Sequence, residues 1–227
     1  MERDIWLLSP RRWRRWKVDA HIQTDATESS LREVDEDYER GQEPRSAQDG
    51  GEGTVRLLAV GVDHRSAPAL VREALAFGDV VLIAVPYGAY PQISKDYAQE
   101  FKGKTVIDAG NAVPARDGEI AKEARENGIG MTSAKYLAGA RIVRAFNTLN
   151  YRRLTSISNR PEGRIAIPMA GDDKDALAVV STLVRDAGFD PVIIGPLERA
   201  KDFVQGAPLY GQEITGQEMQ QRLKALK

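Results

Sequence analysis

Three short stretches of this chain carry residues suited to holding a flat, neutral ring. In AVPYG, residues 84–88, Pro86 has no N–H for a strand ladder and Tyr87 offers a ring for stacking. In DAGN, Asp108 and Asn111 lie in a turn with Gly110. In RAFN, Phe146 and Asn147 follow Arg144. Brought together, they line a cleft with apolar surface and neutral amides, which suits a nicotinamide or an adenine. Each stretch also has a plainer reading. Pro86 and Gly110 could simply end strands, and Asn111 and Asn147 could simply close Asx turns. Only their convergence carries the functional reading.

Convergence requires that each stretch follow a strand of one parallel sheet, because open parallel sheets bind ligands beyond the carboxyl ends of their strands. The pattern supplies such strands. Apolar, β-branched runs predict strands over 55–62, 79–86, 104–111, 140–147, 164–171 and 190–197. The run at 79–86 has no alternation, as expected of a strand buried on both faces. Helices are predicted over 67–77, 90–101, 116–127 and 172–188, the last with an acidic start and a glycine stop, followed by a polar helical tail. This alternation predicts an α/β fold, a Rossmann-like mostly parallel sheet with helices on both faces and right-handed crossovers.

Composition removes several chemistries. The chain has 227 residues and no cysteine, so disulfides, thiolate metal sites and a cysteine nucleophile are excluded. His21 and His64 are its two histidines, too few for a histidine-rich metal site, and no metal ligands are read. A net charge of −1 gives no global attraction to nucleic acid or anionic membrane. The longest apolar run, 80–85, is far short of a membrane span. Cytoplasm is the expected location.

Residues 1–53 are rich in Arg, Asp, Glu and Ser and read as a largely disordered or weakly helical segment, with a linker at 42–53. The basic RRWRRWK, 11–17, faces an acidic run at 32–43 that cancels it, so a solvated tail is expected rather than a nucleic-acid or membrane contact. The acidic GDDKDA, 171–176, opens a helix, where carboxylates complement the dipole. Capping is expected there rather than magnesium. Tyr136 and Tyr151 could border an acceptor or pack, and the sequence does not decide.

From Gly78 to about Gly211 the chain resembles the NADP oxidoreductases related to the enzyme that passes hydride between NADPH and coenzyme F-420. The resemblance rests on FGDVVLIAVPYGAYPQI, GKTVIDAGNAVPARDGEI, ARIVRAFNTLNY, RIAIPMAGDDKDALAVVSTLVRDAGFDPVIIGPLERA and GAPLYG. It implies NADP use, with coenzyme F-420 as a co-substrate. It also implies a cofactor and acceptor cleft along Val85, Pro86, Tyr87, Asn111, Ala145, Phe146 and Asn147, with no catalytic residue assigned. Hydride transfer between two rings needs orientation and a dry surface more than a nucleophile, so the absence of cysteine is no objection. The expected partner is a small-molecule or ring-cofactor acceptor, and a homo-oligomer is compatible.

Family members open with a strand, GxGxxG and a helix, and no such string stands upstream of Gly78. Instead VRLLAVGVDHRSAPALVREALAF, 55–77, resembles the start of glutamyl-tRNA reductase, another NADPH-dependent family. That family's chemistry needs a cysteine thiolate, so its activity is not carried over and His64 and Arg65 receive no catalytic role. The expected division is 1–53 as a tail, 54–77 as a foreign-looking strand and helix, 78–212 as the oxidoreductase body and 213–227 as a helical tail. A chimeric or truncated oxidoreductase is the first reading, and a non-catalytic remnant of the fold is the alternative. A third is a glutamyl-tRNA reductase-like protein without its cysteine. The strand at 55–62 is expected to take the vacant place beside the strand at Val80 and cover its edge.

Overall fold

The computed structural model describes residues 3–9, 12–18, 57–60, 68–150 and 153–226. The expected linker at 42–53, the acidic run, His21, His64, Arg65 and Tyr151 lie outside the described residues.

A first pair of strands, β1 (Arg3–Ser9) and β2 (Arg12–Val18), runs antiparallel, with Leu8 opposite Trp13 and Ile5 opposite Trp16. Their aromatic and aliphatic content suits strand pairing although it shows no clean alternation.

The main sheet has six strands in chain order: β3 (Leu57–Val60), β4 (Val80–Ile83), β5 (Thr105–Asp108), β6 (Arg141–Arg144), β7 (Ala166–Gly171) and β8 (Asp190–Gly195). Strands β3 to β6 are mutually parallel, β7 is antiparallel to β6, and β8 is parallel to β7. The fold is thus α/β and Rossmann-like. Strand β3 sits where the edge argument puts it, with Leu57–Val60 opposite Val80–Ile83. The strand order never reverses, so the described sheet has no switch point of the kind that opens a cleft in doubly wound folds.

The helices are α1 (Pro68–Phe77), α2 (Tyr90–Tyr97), α3 (Pro114–Asp117), α4 (Glu119–Asn127), α5 (Ile129–Tyr136), α6 (Leu154–Ile157), α7 (Lys174–Asp186) and α8 (Gly216–Ala225). One helix expected over 116–127 is two, divided at Gly118, whose φ of 60° breaks the run. Helix α5 was not predicted. Its eight residues, IGMTSAKY, include a glycine and a β-branched threonine and show little apolar periodicity. Gly130 is there because a Cβ would lie 2.3 Å from the Leu197 carbonyl oxygen, so α5 packs backbone-close on the 3-10 turn Leu197–Phe203.

Alternation along the strands builds two cores. Val81, Ile83, Val106 and Ile142 face a layer that includes residues of α1, α2, α4, α5 and α8. Val80, Ile107 and Val143 face the opposite side, where α7 packs with Ala176, Val180 and Val184 fully buried. Helix α7 starts on an Asp173 cap that accepts from the Ala176 N–H at 2.8 Å, the capping role expected for the acidic run.

Candidate functional site

The parallel register aligns the carboxyl ends of three strands: Ile83 pairs with Asp108, and Asp108 with Arg144. Asp108 and Arg144 are fully buried and joined at 2.6 Å between Oδ2 and Nη1. Three residues beyond each stands an asparagine, Asn111 after Asp108 and Asn147 after Arg144. Equal offsets from paired positions bring the two amides together. Asn111 Nδ2 donates to the Asn147 carbonyl at 2.8 Å, and Asn147 Nδ2 lies 3.4 Å from Asn111 Oδ1.

Asn147 is buried and its Nδ2 also donates to the Phe203 carbonyl at 3.0 Å. Among the described residues its Oδ1 has no hydrogen-bond partner. Exchanging the amide's O and N would set an oxygen against two oxygens, so the assignment with Nδ2 toward Phe203 is the sound one. Asn147 reaches this place because Phe146 turns the chain with a φ of 61°, a left-handed value that a non-glycine residue rarely adopts. The Phe146 ring is half-buried and meets Phe189 edge-on, with centroids 6.2 Å apart.

The remaining expected site residues divide. Val85 and Ala145 are buried, and Pro86 is exposed. Tyr87 is fully buried, and its hydrogen bonds go to residues other than the two asparagines. Its hydroxyl donates to the Ile129 carbonyl at 3.0 Å and lies 2.9 Å from Ser133 Oγ, both on α5. Its ring rests on Tyr90, with centroids 4.4 Å apart. Burial, and after it the charge of Asp108, pushes the Tyr87 hydroxyl well above the ordinary tyrosine range, so it stays protonated. The structure therefore brings Asn111 and Asn147 together and sets the Tyr87 ring in a different environment. Tyr136 donates to Glu123 Oε2 at 2.9 Å and lines a shallow hollow with Pro91, Glu119 and Ile120, away from the asparagine pair.

A second cluster braces the rim. Asp117 Oδ1 accepts from the Gly88 N–H at 3.1 Å and Oδ2 from the Val113 N–H at 2.7 Å, tying the exits of β4 and β5 together. Arg116 grips both Asp117 oxygens at 2.8 Å and donates to the Asn111 carbonyl at 2.7 Å. Burial works against the Asp117 carboxylate. The Arg116 guanidinium and the two backbone N–H groups outweigh it and hold its pKa below the usual carboxylate value. A depressed pKa contributes stability above the unfolded value and loses it as pH falls through the folded one. Replacing Asp117 with Asn should cost about 1–3 kcal/mol at neutral pH. The difference from the wild type should shrink as pH falls below the ordinary carboxylate range. Urea midpoints at neutral and acid pH measure it, and an equal loss at both would show that the charge does not matter.

The stretch that carries β3, α1, β4, α2, β5 and Asn111 matches a family model. Residues 19–112 match the family of coenzyme F-420-dependent NADP oxidoreductases. The match to this F-420-dependent family begins upstream of Gly78 and ends just beyond Asn111. It therefore takes in the start that reads as foreign and stops short of the RAFN stretch. Among solved structures, the chain is similar to hypothetical protein SMa0349 from Sinorhizobium meliloti. That likeness has 29% identity and a TM-score of 0.53 over 64% of this chain and 70% of that one. It is also similar to a candidate F-420-dependent NADP reductase from Arthrobacter sp. FB24, at 21% identity and a TM-score of 0.49. There the alignment covers 57% of this chain and 61% of that one. No curated protein matches the chain. Among the described residues, no helix is long and apolar enough to cross a membrane.

Proposed function

We propose that the chain is an NADP-linked oxidoreductase that passes hydride between NADPH and a ring acceptor, with its nicotinamide end better provided for than its phosphate end. The acceptor class is a deazaflavin such as coenzyme F-420 or a flavin, either of which takes the hydride whole, or a metal chelate, two ferric equivalents of which take one electron each as a proton is released. One observation carries the reading. Two amides meet at the carboxyl ends of adjacent parallel strands, and one of them presents a buried acceptor, Asn147 Oδ1, with nothing to accept from. Buried acceptors are seldom left so without a reason. A carboxamide NH2 is a donor of the right kind, and the neutral pair adds no charge that would oppose a nicotinamide. The matched family supports the same cofactor. Bound NADPH supplies the hydride. The protein's part is to orient the ring through Asn111 and Asn147 and to exclude water with Val85, Ala145 and Phe146.

Among the described residues the phosphate end has no comparable provision. The sequence has no GxGxxG leading from a strand into a helix, the arrangement whose backbone N–H groups hold a pyrophosphate. NADPH should therefore bind weakly, with a Kd on the order of 1 mM, about −4 kcal/mol. Titration of the full chain, with loss of the reduced-nicotinamide absorbance followed in the presence of F-420, flavin and ferric chelate, tests both halves. Slow acceptor-dependent oxidation with weak binding is expected. Micromolar affinity would overturn the weak grip, and saturation without transfer to any acceptor would overturn the oxidoreductase reading.

A further inference from the structure

A buried ion pair is a poor way to stabilise a core, because removing two charges from water costs about as much as their attraction returns. Asp108 and Arg144 nevertheless lie fully buried at the ends of β5 and β6. Their hydrogen bonds converge on a single residue of the turn that leads to Asn111. Asp108 Oδ1 accepts from the Gly110 N–H at 3.0 Å, and Arg144 Nη2 donates to the Gly110 carbonyl at 2.7 Å. Both backbone polar groups of Gly110 are thus held by the pair.

Tyr90 closes the arrangement. Its hydroxyl donates to Asp108 Oδ1 at 2.6 Å, and a Cβ on Gly110 would lie 2.5 Å from the Tyr90 hydroxyl oxygen. The Tyr90 ring lies against Tyr87, which is anchored to α5 through Ile129 and Ser133. Residues from beyond β4, from β5 and from β6 therefore meet below the turn.

We infer that Asp108, Arg144 and Tyr90 form a positioning device for the asparagine pair: they fix the turn at Gly110 so that Asn111 meets Asn147 and Asn147 Oδ1 stays free for a ligand. The inference rests on reading that pair as the ring site. None of the three residues touches the ring; they act through Gly110 and Asn111. On this account, an apolar replacement of the ion pair retains the fold and loses the aim of the amides.

Side-chain amide hydrogen exchange tests this in the full chain. In the double variant Asp108→Leu/Arg144→Met, Asn111 and Asn147 Nδ2 protons should exchange about tenfold faster or more, while backbone amides of β5 and β6 keep their protection. Tyr90→Phe, which removes one hydroxyl, should give a smaller acceleration in the same two side chains. Unchanged Asn exchange in a folded double variant would overturn the inference. Should the double variant not fold, unchanged exchange in Tyr90→Phe would overturn it equally. A parallel titration of the wild type with reduced nicotinamide mononucleotide separates the two layers. Accelerated exchange in the variants, together with no ligand response in the wild type, upholds the positioning and removes only the ring reading.

Discussion

Replacing Asp108 alone with Leu should cost close to 5 kcal/mol of stability, and replacing Arg144 alone with Met nearer 3 kcal/mol. The order follows from what each change leaves behind. Without Arg144, the Asp108 carboxylate keeps two donors, the Tyr90 hydroxyl and the Gly110 N–H. Without Asp108, the Arg144 guanidinium keeps the Gly110 carbonyl, and its Nε is already buried without a partner among the described residues. A buried cation so poorly paired is the worse remainder. The double variant should recover most of the loss and lie within about 2 kcal/mol of the wild type, since well-packed apolar groups replace a buried pair at little net cost. Chemical denaturation of the three variants measures the cycle. Additive losses would show that the two charges do not compensate each other, and the account of the strand ends would fail with them.

The second large effect concerns Asn147. Replacement by Leu removes a donor to the Phe203 carbonyl and the unpartnered Oδ1 together. The stranded Phe203 carbonyl should cost about 1–2 kcal/mol of stability. Turnover of NADPH should suffer more, with kcat/KM falling about 10- to 100-fold, or about 1.4–2.7 kcal/mol. Replacing Asn111 with Ala should cost less, because Asn111 contributes one donation to the Asn147 backbone and a long contact at 3.4 Å. Steady-state kinetics on folded variants decides the matter. Equal kcat/KM in Asn147→Leu and the wild type would reduce Asn147 to a structural residue.

Much of the fold was legible because its signals are local. The β-branched runs at Val80–Ile83 and Thr105–Asp108 and the acidic start of α7 needed no distant partner to be read. Helix α5 was hidden because its support is tertiary: Gly130 lies against the Leu197 backbone, a contact that leaves no periodic trace. The antiparallel β7 was hidden for a similar reason. Residues 145–165 include the one-turn helix α6, and nothing in that composition states on which heading the chain returns.

Part of the geometry at the strand ends was legible. Asn111 and Asn147 were expected in one place and meet there. The signal that would have fixed them is the matched spacing, Asp108-x-x-Asn111 and Arg144-x-x-Asn147, with opposite charges at one offset and amides at the other. Tyr87 could not be placed from sequence, because an aromatic residue after a strand serves equally as a stacking platform or as core. Its direction depends on Ser133 and Ile129, more than forty residues away.

The Asn111–Asn147 pair is proposed to receive the nicotinamide. Reduced nicotinamide mononucleotide keeps the ring and one phosphate but lacks the adenosine half, so its binding depends less on a glycine-rich loop than that of NADPH. Titrating it into the labelled full chain while following side-chain amide resonances should shift Asn147 most and Asn111 next, with Gln92 and Gln212 unmoved. Saturable shifts elsewhere, with both asparagines still, would contradict the account.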